Sequence, residues 1–264
     1  MSYSPAMLVR GDHIAVIALF DRNAQSLAAR AKMCQTFPDR RSGQIKEDHV
    51  ADLSSISREV DLVVGRFESL SAVRDRAIGE ARQVVRLAAN SIRATHRNEI
   101  AAAGDLLATA RARYTALITP LRPFPALYWA GYVQDAAKEL AEAAITYAAV
   151  AGQALPGPAL LEVEDAAYLN GLAEAGSELR RDVLDRLRAG ELAAAETLLA
   201  TMDEIYGALV TVDFPDSITG GLRRTTDAFR AVLERTRGDL TMAVTQARVE
   251  VALRRATDPR SPVL

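Results

Sequence analysis

Apolar side chains recur every three or four residues along most of this chain, which is the spacing of one face of an α-helix. From residue 51 to residue 97 this spacing predicts one very long helix, or two with a bend near Ser69–Ser71. Further helices are predicted over residues 99–118, from 126 or 132 to 151, and over 165–188, 191–211 and 222–256. No segment shows the alternation of a strand, so we predict an all-α protein of about seven helices.

The N-terminal part of the chain differs from the rest. Residues 1–48 lack sustained periodicity and contain the turn-rich sequence FPDRRSG at 37–43. We therefore predict an N-terminal extension over 1–48, a helical domain over 49–256 and a C-terminal tail over 257–264. The extension is an appended element, a mobile arm or sequence upstream of the true start, and the pattern does not choose between these.

Composition limits the classes of partner. The 264 residues carry a net charge of −2, so there is no global basic field and a polyanion would have to meet a local basic patch. Of the 32 basic residues only Lys32, Lys46 and Lys138 are lysine. This preference for arginine over lysine has two interpretations, a GC-rich genome or the bidentate recognition of phosphate by guanidinium groups.

Cysteine content and the length of apolar runs indicate the cellular compartment. The single Cys34 excludes an intrachain disulfide and a cysteine-rich zinc site. The longest early apolar run, Ile14 to Phe20, is too short to span a bilayer. We predict a soluble, cytoplasmic protein without a membrane partner.

Acidic side chains form a stripe on each of two predicted helices. The first stripe is Asp135, Glu139 and Glu142 at i, i+4 and i+7, and the second is Glu174 and Glu178 at i and i+4, with Arg181 at i+7. Like charges at i, i+4 repel by roughly 0.2–0.5 kcal/mol per pair. The stripes are either a solvated face or a shared metal site. The surrounding Ala and Gly residues favour the metal site, because Gly171, Ala173, Ala175 and Gly176 permit close helix approach.

The donor set indicates the metal and the chemistry. An oxygen-only ligand set suits Mg²⁺, with Mn²⁺ as a second candidate. Mg²⁺ held by carboxylates is the usual apparatus of phosphodiester cleavage. No nucleophile motif competes with this interpretation, and the scattered His13, His49 and His96 are expected to be surface residues.

Two further groups have two interpretations each. A row on the first long helix is a solvated face or a track for a nucleic-acid backbone, and it comprises Arg82, Arg86, Arg93 and Arg97. An aromatic group beside the first acidic stripe is core or a base-stacking surface, and it comprises Tyr128, Trp129 and Tyr132.

Three segments resemble the translin superfamily, which includes translin, translin-associated factor X and shorter prokaryotic relatives. They are YVQDAAKELAEA, YLNGLAEAGSELRRDVLDRLRAGELAAAETLLATMDEIYGAL and DFPDSITGGLRRTTDAFRAVLERTRGDL. The resemblance covers about residues 53–245, is densest over 165–240, and is nearest to the prokaryotic branch. It implies a seven-helix translin-like bundle with long helices that assembles into a hollow homo-oligomer, usually an octamer.

The resemblance also assigns residues. The Glu-x-x-Glu pair of factor X matches Glu139 and Glu142, and the following acid pair matches Glu174 and Glu178. Glu174 stands where that pattern has aspartate, whereas translin has apolar residues there. Asp135 fits the prokaryotic VQDA pattern as an added ligand.

These observations lead to two functional hypotheses beside a purely structural helical scaffold, which the placement of the acids disfavours. The first is a Mg²⁺-dependent endoribonuclease acting on single-stranded RNA, with Glu139, Glu142, Glu174 and Glu178 as catalytic metal ligands, Asp135 as a further ligand, and Arg181 at the phosphate. The second is a non-catalytic oligomer that binds single-stranded RNA or DNA through the arginine row.

Overall fold

The computed structural model describes residues 53–257. Contacts divide the chain into Met1–Arg58 and Glu59–Leu264, and the first unit contributes only Leu53–Arg58 to the described residues. The predicted extension over 1–48 and nearly all of the predicted tail over 257–264 lie outside the described range.

All regular structure within residues 53–257 is helical, so the predicted all-α class is confirmed. The long helices are α1 (Leu53–His96), α2 (Ile100–Ile118), α4 (Gly131–Val150), α6 (Asp165–Arg188), α7 (Leu192–Leu209) and α9 (Leu222–Thr257). Single-turn helices are α3 (Pro125–Tyr128), α5 (Pro158–Leu161) and α8 (Asp216–Thr219), and a 3₁₀ turn spans Thr119–Leu121. The six long helices and these short turns agree broadly with the seven predicted.

The continuity and the ends of the helices follow from the local sequence. The first helix is continuous through Ser69–Ser71, because nothing there removes a backbone donor. α6 ends where predicted, since Gly190 takes a φ of +78° that an L side chain rarely adopts. Asn98 has a φ of +60° in the turn after α1, and Glu99 is the N-cap residue of α2.

Helix α6 is the centre of the bundle and packs against α4, α7 and α9. Glycines allow two of these approaches, as the stripe of small residues predicts. A Cβ at Gly171 would lie 2.6 Å from the backbone oxygen of Lys138 on α4, and one at Gly176 would lie 2.4 Å from the ring of Phe229 on α9. Because only glycine fits at Gly171, the backbones of α4 and α6 approach each other closely beside their acidic stripes.

Among residues 53–257, none of the helices combines the length and the hydrophobicity that spanning a bilayer requires.

Candidate metal centre

Three carboxylates of the acidic stripes converge between α4 and α6. Glu139, Glu142 and Glu174 each offer an oxygen within 4.8 Å of the other two. The close approach at Gly171 sets this distance, because its missing Cβ lets the backbone of α6 lie against that of α4. The structure therefore brings together three of the five predicted ligands, and we refer to them as the acidic site.

Glu142 is the buried member of the acidic site. Its residue is 8% exposed, and within residues 53–257 its carboxylate has no hydrogen-bond or ion-pair partner. Burial, followed by the negative charges of Glu139, Glu174 and Glu178, raises the pKa of Glu142 to about 8. Burying a carboxyl group without a hydrogen-bond partner lowers the stability of the fold. This arrangement is typical of a group kept for binding.

Lys138 supplies the cation nearest to the acidic site. Its Nζ donates a hydrogen bond to Glu174 and lies 3.1 Å from an oxygen of Glu139. Burial lowers the pKa of Lys138, but the hydrogen bond to Glu174 and the charges of both acids raise it more, so the net shift is upward. The side chain is charged at neutral pH and offsets part of the negative charge.

The arrangement fits a small hard cation. All three donors are carboxylate oxygens, the ligand type that Mg²⁺ and Mn²⁺ prefer. Opposite ligands of Mg²⁺ are about 4.2 Å apart, so small side-chain rotations would close the observed spacing around an ion. The donor chemistry and the unpartnered Glu142 thus both agree with an ion at the acidic site.

The other two predicted ligands lie elsewhere. Asp135 is exposed and is not part of the three-carboxylate group. Glu178 accepts a hydrogen bond from Nε2 of His96 at 2.8 Å. Arg181 is exposed one turn beyond Glu178, where its charge contributes to lowering the pKa of that acid after the effect of His96. A ligand role for Asp135 or Glu178 stays a prediction.

His96 corrects the expectation of a surface histidine. Its side chain is 2% exposed, and Nδ1 lies 2.8 Å from an oxygen of Asp182 while Nε2 lies 2.8 Å from Glu178. Burial lowers the pKa of His96, but the hydrogen bonds to Asp182 and Glu178 and their charges raise it to about 9. His96 is therefore an imidazolium that joins α1 to α6, and we call these three residues the histidine cluster.

The predicted arginine row is exposed along its length, and it comprises Arg82, Arg86, Arg93 and Arg97. Its members bond mainly to near neighbours on the same chain segment; Arg97, for example, contacts Glu99 at 2.9 and 2.6 Å. The C-terminal end of the row lies beside the residue that contacts Glu178, because Arg97 follows His96 directly and Arg93 lies one turn before it. Exposure agrees with both interpretations of the row.

The aromatic group divides between core and surface. Tyr132 has a buried hydroxyl without a partner, and Tyr128 donates to Glu164 at 2.5 Å. Trp129 is 59% exposed and meets the ring of Tyr128 edge-to-face at 5.3 Å. Only Trp129 therefore presents an open face on which a base could stack.

Comparison with known proteins gives the family. No family model matches the chain. The crystal structure of AfC3PO, a translin/TRAX complex, is 31% identical with a TM-score of 0.67, over 71% of this chain and 98% of that one. A complex of AfC3PO with duplex RNA is 32% identical with a TM-score of 0.68, over 71% and 97%. The chain belongs to the translin superfamily.

Two more distant relatives extend the comparison. Uncharacterized protein MJ0175 of Methanocaldococcus jannaschii is 25% identical over 198 residues, which are 75% of this chain and 88% of that protein. Apo-NeC3PO is 16% identical with a TM-score of 0.62, over 74% of this chain and 99% of that one, and it shows a likeness of fold alone.

The residues that sequence reasoning missed are His96, Asp182 and Lys138. A signal for His96 was present, since it continues the buried stripe of α1 through Ala88 and Ile92 at steps of four. No signal in the chain indicated which acid would meet it. Lys138 was visible only as one polar residue of the first acidic helix, and its position between two acids depends on the packing of α4 against α6.

Proposed function

We propose that this translin-superfamily protein binds RNA and hydrolyses its phosphodiester bonds with a divalent ion held by Glu139, Glu142 and Glu174. The observation that supports it is the convergence of these three carboxylates, with Glu142 buried and without a partner. A solvated acidic face, the alternative from sequence, would leave its acids exposed, whereas Glu142 is enclosed.

The roles of the protein groups follow from their positions. A bound Mg²⁺ would supply Lewis acidity toward the phosphate and lower the pKa of an attacking water. Glu139 and Glu174 are partly exposed and would orient the ion toward solvent, where RNA arrives. Glu142 would hold the ion from the buried side. Arg181 is exposed one turn beyond Glu178 and would contact a phosphate of the RNA.

RNA is the proposed substrate on two grounds. AfC3PO, of which this chain covers 97%, has been solved with duplex RNA. In this protein the exposed arginine row ends at Arg97, directly after His96, whose ring contacts Glu178 one turn from Glu174; a backbone bound along α1 would therefore lead toward the three carboxylates. Single-stranded RNA is the proposed substrate form, and duplex RNA is the comparison that tests it.

Assembly into a homo-oligomer, with an octamer as the expected size, is part of the proposal. Apolar side chains of α1 and α9 are exposed in the single chain, with Phe67 at 65% and Leu253 at 60%. Apolar area of this kind is typical of surfaces that associate. Light scattering of the purified full chain would give the mass, and Phe67→Glu should reduce it.

A cleavage assay tests the catalytic proposal. Fluorescent single-stranded and duplex RNA would be incubated with the full chain in Mg²⁺, with EDTA, and with Glu142→Gln. We expect metal-dependent cleavage that Glu142→Gln lowers at least about 100-fold, as for loss of a group that holds charge in the transition state. Glu196→Gln, which changes an exposed acid on α7, is the matched control and should leave the rate unchanged. Cleavage that survives in Glu142→Gln rejects the site.

A second candidate function is RNA binding without turnover. The exposed arginine row favours it, because phosphate contacts need only surface cations. It predicts RNA affinity that falls steeply with salt and no cleavage in Mg²⁺ or Mn²⁺. Arg86→Ala with Arg93→Ala should weaken binding and flatten the salt dependence. Unchanged affinity would remove the row from either function.

A further inference from the structure

The acidic site already contains a cation, the ammonium of Lys138. This group hydrogen-bonds to Glu174 and lies 3.1 Å from Glu139, so it contacts two of the three carboxylates. It reaches them from the α4 side, next to the point where Gly171 lets the two helices meet. Those contacts use the same carboxylate groups that a divalent ion would need.

We propose that Lys138 is the resident counter-ion of the acidic site and that a divalent ion binds by displacing its ammonium. Lys138 therefore weakens metal binding and holds Glu139 and Glu174 in place until the ion arrives. The inference rests on the proposed function, since it assumes that the ion binds at Glu139, Glu142 and Glu174.

Displacement follows from charge and geometry. An ammonium and a divalent ion that shared Glu139 and Glu174 would lie within one or two bond lengths of the same oxygens and repel strongly. The ammonium is the group that can leave, because it sits on a flexible four-carbon stem and is well hydrated once in water. Its side chain is 23% exposed, so a route to solvent is open.

The ammonium of Lys138 and a divalent ion also differ in which carboxylates they can contact. Within residues 53–257, Lys138 forms ion pairs with Glu139 and Glu174 and none with Glu142. An ion at the centre of the three oxygens would contact all of them. The buried Glu142 thus favours the ion over the ammonium, which explains how exchange proceeds in spite of the contacts that Lys138 already makes.

Metal titration without RNA tests the exchange. Mn²⁺ binding to the full chain would be measured by electron paramagnetic resonance for the unaltered protein, Lys138→Met and Lys138→Arg. We expect Lys138→Met to bind Mn²⁺ at least about tenfold more tightly, because the competing charge is gone, and Lys138→Arg to remain near the unaltered protein. Arg237→Met, which removes a cation paired with Asp203 between α9 and α7, is the matched control and should change nothing.

The outcomes separate this inference from the proposed function. Equal or weaker Mn²⁺ binding by Lys138→Met overturns the exchange. If Glu142→Gln abolishes binding in that same case, the metal centre stands and only the role of Lys138 falls. If neither the unaltered protein nor Lys138→Met binds Mn²⁺, the metal centre and the exchange both fall.

A second measurement uses the unaltered chain and does not depend on the folding of a variant. The chain has only three lysines, so pulsed acetylation read by mass spectrometry reports Lys138 individually, with Lys32 and Lys46 as internal references. Mn²⁺ should speed acetylation of Lys138 several-fold relative to both references, since the displaced amine enters solvent. An unchanged or slower rate in saturating Mn²⁺ overturns the exchange.

Discussion

Glu174 and Glu178 lie one turn apart on α6, yet they belong to groups of different character. Glu178 shares the histidine cluster with Asp182, where each ring nitrogen of His96 donates to one carboxylate at 2.8 Å. Glu174 faces the acidic site, where three carboxylates meet one ammonium and Glu142 has no partner. Two glutamates on the same helix thus lie in different surroundings: Glu178 belongs to a group in which both ring donors are used, whereas Glu174, which accepts from Lys138, belongs to a group that includes an unpartnered acid.

The comparison shows how to separate structural acids from acids kept for binding. In the histidine cluster the donors of the imidazolium are both used, so the group joins two helices. In the acidic site the burial of Glu142 opposes folding and is not offset by a hydrogen bond. Mutations that remove charge should therefore destabilise the first group and spare the second.

The largest effect is expected for His96→Ala. It leaves the buried Asp182 without a partner and should lower the free energy of unfolding by about 3–5 kcal/mol, the usual cost of breaking a buried pair from one side. Urea denaturation of the full chain would measure the loss. Arg237→Ala, which breaks an exposed pair with Asp203, should cost under about 1 kcal/mol. Equal losses in the two variants would refute the contrast.

Metal addition should act through the acidic site alone. At a Mg²⁺ concentration about 100 times the dissociation constant, binding to the folded state raises the free energy of unfolding by about 2.7 kcal/mol. EDTA should reverse the gain, and Glu174→Gln should lack it. Thermal melts of both proteins with and without Mg²⁺ provide the measurement, and a similar gain in Glu174→Gln would place the ion elsewhere.

Gly171→Ala should disturb the acidic site through its backbone. The added Cβ would meet the backbone oxygen of Lys138 at 2.6 Å, so α4 and α6 must separate, at a cost of about 1–3 kcal/mol. Gly238→Ala is the control, because a Cβ there meets nothing within 4 Å and alanine favours the helix. The stability of both variants and the Mn²⁺ affinity of Gly171→Ala would be measured. An unchanged Mn²⁺ affinity in Gly171→Ala would show that the spacing between α4 and α6 is not critical for the site.

The smallest stability effect is expected for Glu142→Gln. Because the pKa of Glu142 is raised to about 8, its carboxyl is largely neutral at pH 7 without metal, and an amide of similar size replaces it. The free energy of unfolding should change by less than about 1 kcal/mol while Mn²⁺ binding is lost. Denaturation at pH 7 checks the first part; a loss comparable to that of His96→Ala would make Glu142 a structural residue.

Much of the fold was predictable from local pattern. The end of α6 at Gly190 and the close approach at Gly171 follow from the special properties of glycine, whereas periodicity left open whether the first helix runs without a bend through Ser69–Ser71. The acidic stripes were visible because helical spacing places i, i+4 and i+7 on one face. The predictions failed for His96 because burial depends on which helix covers a residue.

The chain alone determined its helices, the face on which each acid lies and the small residues that allow helices to meet, because these depend on bonding and sterics within a few turns. Tertiary packing decided that Glu139, Glu142 and Glu174 form one group while Glu178 turns to His96 and Asp135 stays exposed. This grouping depends on distances of a few ångströms between helices that are remote in sequence. The periodicity of a single helix carries no information about those distances.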